Sequence, residues 1–163
     1  MTSPTHVTLL DIKAANERIK PYIKRTPLIE IEPNVYLKAE HTQVVKSFKP
    51  RGACNAMLRL SDHEKSQGVI ARSSGNFAQG LAYIGKKLGV AVTIVMPEHT
   101  PQVKVNSTKE LGATVILKGH LHIEAQDLVD KMAKEENLTK MHPFNNNDVI
   151  AGQGTAMLEI CEQ

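Results

Sequence analysis

Tryptophan is absent, and phenylalanine and tyrosine number three each, which leaves few rings to stack on bases. The net charge of +3 is slight, and there is no basic stripe of the kind that tracks a phosphate backbone. A nucleic-acid partner is therefore not expected. Cys54 and Cys161 are the two cysteines, too few and too widely spaced for a disulfide framework or a zinc site. No metal site is expected. No apolar run approaches the ~20 residues that span a bilayer, so a membrane partner is not expected either. The opening segment Met1-Thr2-Ser3-Pro4-Thr5-His6 has neither a basic stretch nor an apolar core, which argues against a secretory signal. A reducing cytoplasm is the expected compartment. No internal repeat or low-complexity tract is visible.

What remains is an ordinary globular composition: 163 residues, 41% hydrophobic and 23% charged, enough for roughly one domain. Thr8 can cap a helix running to about Lys20, with Leu9, Ile12 and Ala15 on one face and Ile19 a turn further on. Arg25-Thr26-Pro27 breaks that pattern, because a residue before proline is pushed towards extended geometry. Val35–Ala39 reads as a strand, and Phe48–Leu60 as a helix with Ala53, Ala56, Met57 and Leu60 inward. From residue 68 the rhythm is regular. Apolar runs at Gly68–Ala71, Val92–Met96, Thr114–Leu117 and Lys140–His142 alternate with helical patterns at about Asn76–Leu88, Pro101–Leu111 and Ile123–Glu136. Such alternation predicts an α/β fold, a parallel open sheet flanked by helices. Its ligand-binding loops belong at the carboxyl ends of the strands. A last helix is expected over Asp148–Gln163, and the chain stops inside it, with no capping glycine and no following strand.

Two segments carry chemistry. The first is Lys46-Ser47-Phe48-Lys49-Pro50-Arg51-Gly52-Ala53. A nucleophilic lysine needs a fixed side chain and a lowered pKa, which desolvation or neighbouring cations supply. Phe48 offers an apolar wall, Arg51 a permanent positive charge two residues on, and the helix start a positive dipole end. The second is Ser73-Ser74-Gly75-Asn76, a small-residue turn between a strand and a helix. Such a turn points backbone N–H groups at an anion. A Schiff-base lysine facing an anion-holding turn is what a pyridoxal-phosphate enzyme acting on amino acids requires. The alternatives stay open at this point: Lys49 as a solvated helix lysine, and Ser73–Asn76 as a plain turn with Asn76 as N-cap.

The two segments together resemble the threonine/serine dehydratase and serine racemase family, the fold-type II pyridoxal-phosphate enzymes. Lys24-Arg25-Thr26-Pro27-Leu28, Val95-Met96-Pro97 and Val149-Ile150-Ala151-Gly152-Gln153-Gly154-Thr155 fit the same family in the same order. The resemblance implies that Lys49 carries pyridoxal 5'-phosphate and then acts as the base that removes the substrate's α-proton. It places Phe48 beside the pyridine ring and Asn76 at the cofactor's phenolic oxygen. It places the substrate carboxylate on Ser73, Ser74, Gly75, Asn76 and Phe77. Phe77 departs from relatives that carry histidine there. Ser74 stands where many dehydratases have alanine and racemase-like members have a serine able to donate a proton on the opposite face. Phe144 sits where some relatives place a polar residue near the ring, and packing is its simpler role.

Other candidates are plain by comparison. His120-Leu121-His122 lacks a third metal ligand and reads as a surface pair. Gly152-Gln153-Gly154 follows no strand and is no dinucleotide fingerprint.

The resemblance implies an N-terminal portion of such an enzyme, since relatives run to about twice this length. Residues 1–67 would belong to a large domain, 68–146 to a small α/β domain, and 147–163 to the return into the large domain. The glycine-rich phosphate cradle of the family is not found in this chain, so cofactor binding by these 163 residues alone is expected to be weak or absent. The expected reaction is dehydration of L-threonine, L-serine or a related β-hydroxy amino acid to a 2-oxo acid and ammonia, in a homo-oligomer. Ser74 supports a racemase as the rival reading. The abrupt end supports a non-catalytic binding module.

Overall fold

The computed structural model describes residues 6–163, with the side chain of His122 excepted. The segment read as carrying no secretory signal lies, apart from His6, outside the described residues. Thr8 does cap the first helix, α1 (Leu9–Ile19), in a reciprocal box with Asp11. Ala15 and Ile19 are buried, whereas Leu9, expected inward, is exposed beside Leu10. An antiparallel hairpin follows, β1 (Leu28–Glu32) and β2 (Val35–Lys38), turning at Asn34 with φ of 62°. A 3-10 turn over Glu40–Thr42 leads to α2 (Lys49–Arg59), then a short α3 (Asp62–Gln67).

From there the chain alternates as expected. β3 (Val69–Arg72), α4 (Asn76–Leu88), β4 (Val92–Met96), α5 (Gln102–Glu110) and β5 (Thr114–Leu117) run in order. α6 (His122–Glu135), β6 (Thr139–Lys140) and α7 (Asn147–Glu162) complete them. The four later strands form one parallel sheet in the order β5-β4-β3-β6. β6 is shorter than the run Lys140–His142 suggested: Met141 still donates its N–H to Ile70, but His142 turns away. The apolar alternation of β3 splits two cores. Val69 and Ala71 pack on the side of α4 and α2, and Ile70 faces Ala125 and Val129 of α6.

Close backbone approach sets how α2 sits among its neighbours. A Cβ on Gly80 of α4 would lie 3.3 Å from the backbone of Pro50, and one on Gly152 of α7 would lie 2.5 Å from the Arg51 carbonyl oxygen. The second contact has no flexible side chain to yield. Gly152→Ala should therefore push α7 off α2 and destabilise by about 1–3 kcal/mol, the usual cost of overpacking. A lower urea midpoint with an unchanged denaturant slope checks this, and an unaltered midpoint would show that the contact relaxes freely.

Candidate functional site

Lys49 is the first residue of α2, with Pro50 next, a position where proline's fixed φ suits the helix start and its missing N–H costs nothing. Phe48 precedes it as the capping residue and is 43% exposed, so it is a surface wall and not a core residue. The Lys49 Nζ lies 5.0 Å from the Phe48 ring centroid. Lys49 is half-buried, and among the described residues its amine has no hydrogen-bond or carboxylate partner. Two residues earlier, the Ser47 hydroxyl is buried without a partner among the described residues. A partly covered amine that no carboxylate neutralises is suited to bonding with a carbonyl carbon.

The loop after β3 stands close by. Gly80 touches Pro50, and Asn76 begins α4 four residues earlier, roughly 6 Å along the helix axis at the usual rise. Gly75 is the N-cap, in extended geometry; Asn76, expected as the cap, is instead the first helical residue and is exposed. The capping work falls to Ser73. Its hydroxyl accepts from the N–H groups of Gly75 at 3.4 Å and Ala78 at 3.2 Å. The N–H groups of Ser74, Asn76 and Phe77 are left without an acceptor among the described residues, at the positive end of a 13-residue helix. Space around Gly75 is open: a Cβ added there would meet nothing within 4 Å. Open N–H groups at a helix start are the kind of donors that can receive an anion. Phe77 contributes to this set through the backbone alone, because its ring is 2% exposed and packed in the core.

Arg51 overturns its sequence reading. It is fully buried, and all five guanidinium N–H donors are taken. Nε and Nη2 reach Glu40 at 2.9 and 2.7 Å, Nη1 and Nη2 reach Glu159 at 2.8 and 2.9 Å, and Nη1 also donates to Thr155 at 3.2 Å. Lys38 joins Glu159 at 2.7 Å. Two cations and two carboxylates thus balance, and Arg51 presents no free charge to Lys49. Its role is to tie the first turn of α2 to the 3-10 turn at Glu40 and to α7. Sequence reasoning missed this network because its carboxylates lie 11 and 108 positions away.

The remaining candidates fall outside the cluster. Phe144 is 65% exposed, and its ring packs edge-on against His142 with the centroids 4.5 Å apart. His120 is exposed and 3.6 Å from Glu98, while the His122 side chain lies outside the described residues. Among the described residues no group of three or more possible ligands could hold a metal, and no helix is long and apolar enough to cross a membrane. Cys54 and Cys161 are both free. Burial pushes the Cys54 thiol up to about 12, which makes it inert.

Comparison with known proteins decides the family. Residues 19–163 match the model of the pyridoxal-phosphate dependent enzymes. The chain belongs to that family. It is 48% identical over 164 aligned positions to the catabolic L-threonine dehydratase TdcB of Staphylococcus aureus strain N315, covering 96% of this chain and 47% of that protein. Its fold superposes on the serine racemase of Dictyostelium discoideum with a TM-score of 0.90 at 41% identity, covering 96% of this chain and 53% of the other. Threonine deaminase isoform 2 of Solanum lycopersicum gives 0.87 at 36% identity, covering 99% and 48%. The chain spans about half the length of the curated relatives it matches.

The family's cofactor is pyridoxal phosphate, and the residues present fit its aldehyde and the amino acid brought to it. The unpaired Lys49 amine suits the aldehyde, and the open N–H groups of the Ser73–Phe77 loop suit the carboxylate of an amino acid brought to it. A glycine-rich cradle for the phosphate is not found in these residues.

Proposed function

We propose that this chain supplies the lysine and the substrate-carboxylate loop of a pyridoxal-phosphate-dependent dehydratase. The substrate is L-threonine, L-serine or a related β-hydroxy amino acid. The observation that carries this reading is a half-buried Lys49 amine without a carboxylate partner, together with three open N–H groups at the start of α4, the helix whose Gly80, about one turn on, packs against Pro50. In the complete enzyme, this chain acts together with the segment that holds the cofactor phosphate. Residues 1–67 belong to the lysine-bearing domain, 68–146 to the small domain and 147–163 to the return.

Lys49 would hold the cofactor's carbonyl carbon, with Phe48 beside the ring and Asn76 near the ring hydroxyl. The N–H groups of Ser74, Asn76 and Phe77 bind the substrate carboxylate and so fix the α-carbon. Bound pyridoxal phosphate supplies an electron sink for the charge left when the α-proton departs. Lys49 Nζ accepts that proton. The β-hydroxyl leaves as water, and hydrolysis gives the 2-oxo acid and ammonia. Free thiols at Cys54 and Cys161 suit a reducing cytoplasm. Exposed apolar side chains on the hairpin and on α1 and α7 suit association into a homo-oligomer.

Racemisation is the second reading, and Ser74 favours it, because its side chain accompanies an open N–H in the loop. Ser74→Ala should suppress D-serine formation from L-serine and spare pyruvate, since elimination needs one base and racemisation needs groups on both faces. The ratio of D-serine to pyruvate from parent and variant measures this. If both products fall together, Ser74 shapes the turn only. Formation of 2-oxobutyrate and ammonia from L-threonine by the complete enzyme tests the main reading, and absence of any keto acid from threonine and serine would reject it.

A further inference from the structure

A cavity of about 150 Å³ opens on the other face of the sheet from α2 and α4. Arg72, Gln126, Val129, Lys140, Met141 and His142 line it with Pro143. Its position follows from topology. The chain leaves β3 outward through β4 to β5, then returns by α6 to lay β6 on the opposite side of β3. The crevice between the carboxyl ends of β3 and β6 is therefore the point where strand order reverses, the usual ligand position of an open α/β sheet. Arg72 ends β3, and Lys140 ends β6.

The charged side chains that line the cavity, Arg72 and Lys140, are donors. Arg72 uses Nε alone, bonding Gln126 at 3.1 Å. Gln126 is steadied by Asp130 at 3.3 Å, and Asp130 pairs with Lys140 at 2.9 Å. Arg72 Nη1 and Nη2 have no partner among the described residues, so the guanidinium is oriented while its fork stays free. His142 Nδ1 accepts from the N–H groups of Phe144 at 3.3 Å and Asn145 at 2.8 Å, which leaves the ring proton on Nε2 as a donor. Burial, aided by the charge of Arg72, holds the His142 pKa below the ordinary imidazole value, so the ring is neutral at pH 7. Arg72, Lys140 and Asp130 together leave one net positive charge.

We infer that the crevice between β3 and β6 is a binding site for a small oxyanion, a phosphate or carboxylate group, held by the free fork of Arg72. Arginine's planar pair of donors matches two oxygens of either group. The site is separate from the Ser73–Phe77 loop, because Arg72 bonds α6 on one face whereas the loop opens α4 on the other.

Titration of the protein with inorganic phosphate and with acetate at constant ionic strength, followed by NMR, tests this. The Gln126 side-chain amide and the His142 ring report the crevice, and the backbone N–H signals of Asn76 and Phe77 report the loop. Saturable shifts at Gln126 and His142 are expected, weakened about tenfold or more in Arg72→Gln, the loss of one charge-assisted contact. Arg72→Lys should recover part of the affinity, and Lys87→Gln, on an exposed helix face, should leave it unchanged. A response to phosphate but not acetate assigns a phosphate group, and the reverse assigns a carboxylate. Shifts confined to Asn76 and Phe77, or Gln126 shifts that persist undiminished in Arg72→Gln, would overturn the site. Neither result bears on the dehydratase reading.

Discussion

Lys49→Ala is expected to remove elimination and covalent cofactor attachment together in the complete enzyme. Loss of the proton acceptor alone costs roughly 10²–10⁴-fold in rate, and loss of the attachment point adds to it. The fold should survive, because the Lys49 side chain is only half-buried and makes no hydrogen bond or ion pair among the described residues, and its amine lies over the exposed Phe48 ring. An unchanged urea midpoint with activity below detection is the expected pair of results. A cofactor adduct that borohydride still fixes in Lys49→Ala protein would move the attachment elsewhere. Elimination at the parental rate would remove Lys49 from the chemistry.

Arg51→Leu is expected to have the largest effect on stability. It strands Glu40 and Glu159, which Arg51 binds through four of its five donors. Breaking a buried pair from one side costs about 3–5 kcal/mol, because a carboxylate is left desolvated and unpaired. The Glu159 carboxyl also makes this network sensitive to acid. Burial by itself would raise its pKa, but hydrogen bonds from Arg51 and Lys38, with their charges, hold it below the usual carboxylate value. A depressed folded pKa gives stability that is present above the unfolded value of about 4.3 and lost as pH falls through the folded one. Urea midpoints of the parent should drop below about pH 4.3. Glu159→Gln should be weaker at pH 7 and lose less on acidification. Equal acid sensitivity of parent and Glu159→Gln would place the titrating group elsewhere.

The parts of the fold with local periodicity were legible in the sequence. The four parallel strands and the helices between them follow from alternating apolar runs, and Thr8 announced α1 through its capping box with Asp11. The same signature, Ser61 with Glu64, marks α3 and was there to be read. β1 was legible too, in the alternation of Leu28-Ile29-Glu30-Ile31-Glu32, although the Pro27 break masked it.

Long-range electrostatics were not legible. Arg51 looked like a neighbour that would bias Lys49, and only the packing of α7 and of the 3-10 turn after the hairpin brings Glu159 and Glu40 to it. Phe77 likewise took a place in the loop by sequence and a place in the core by its side chain. Position in a motif locates a backbone; it does not say where the side chain goes.

The central claim is that Lys49 is the residue joined to the cofactor. Incubation of the complete enzyme with pyridoxal phosphate, borohydride reduction, digestion and mass spectrometry tests it directly. The account predicts a pyridoxyl group on the peptide carrying Lys49, at near one per chain, with exposed lysines such as Lys86 and Lys87 unmodified. Label spread over those surface lysines, with Lys49 no richer than they are, would contradict it.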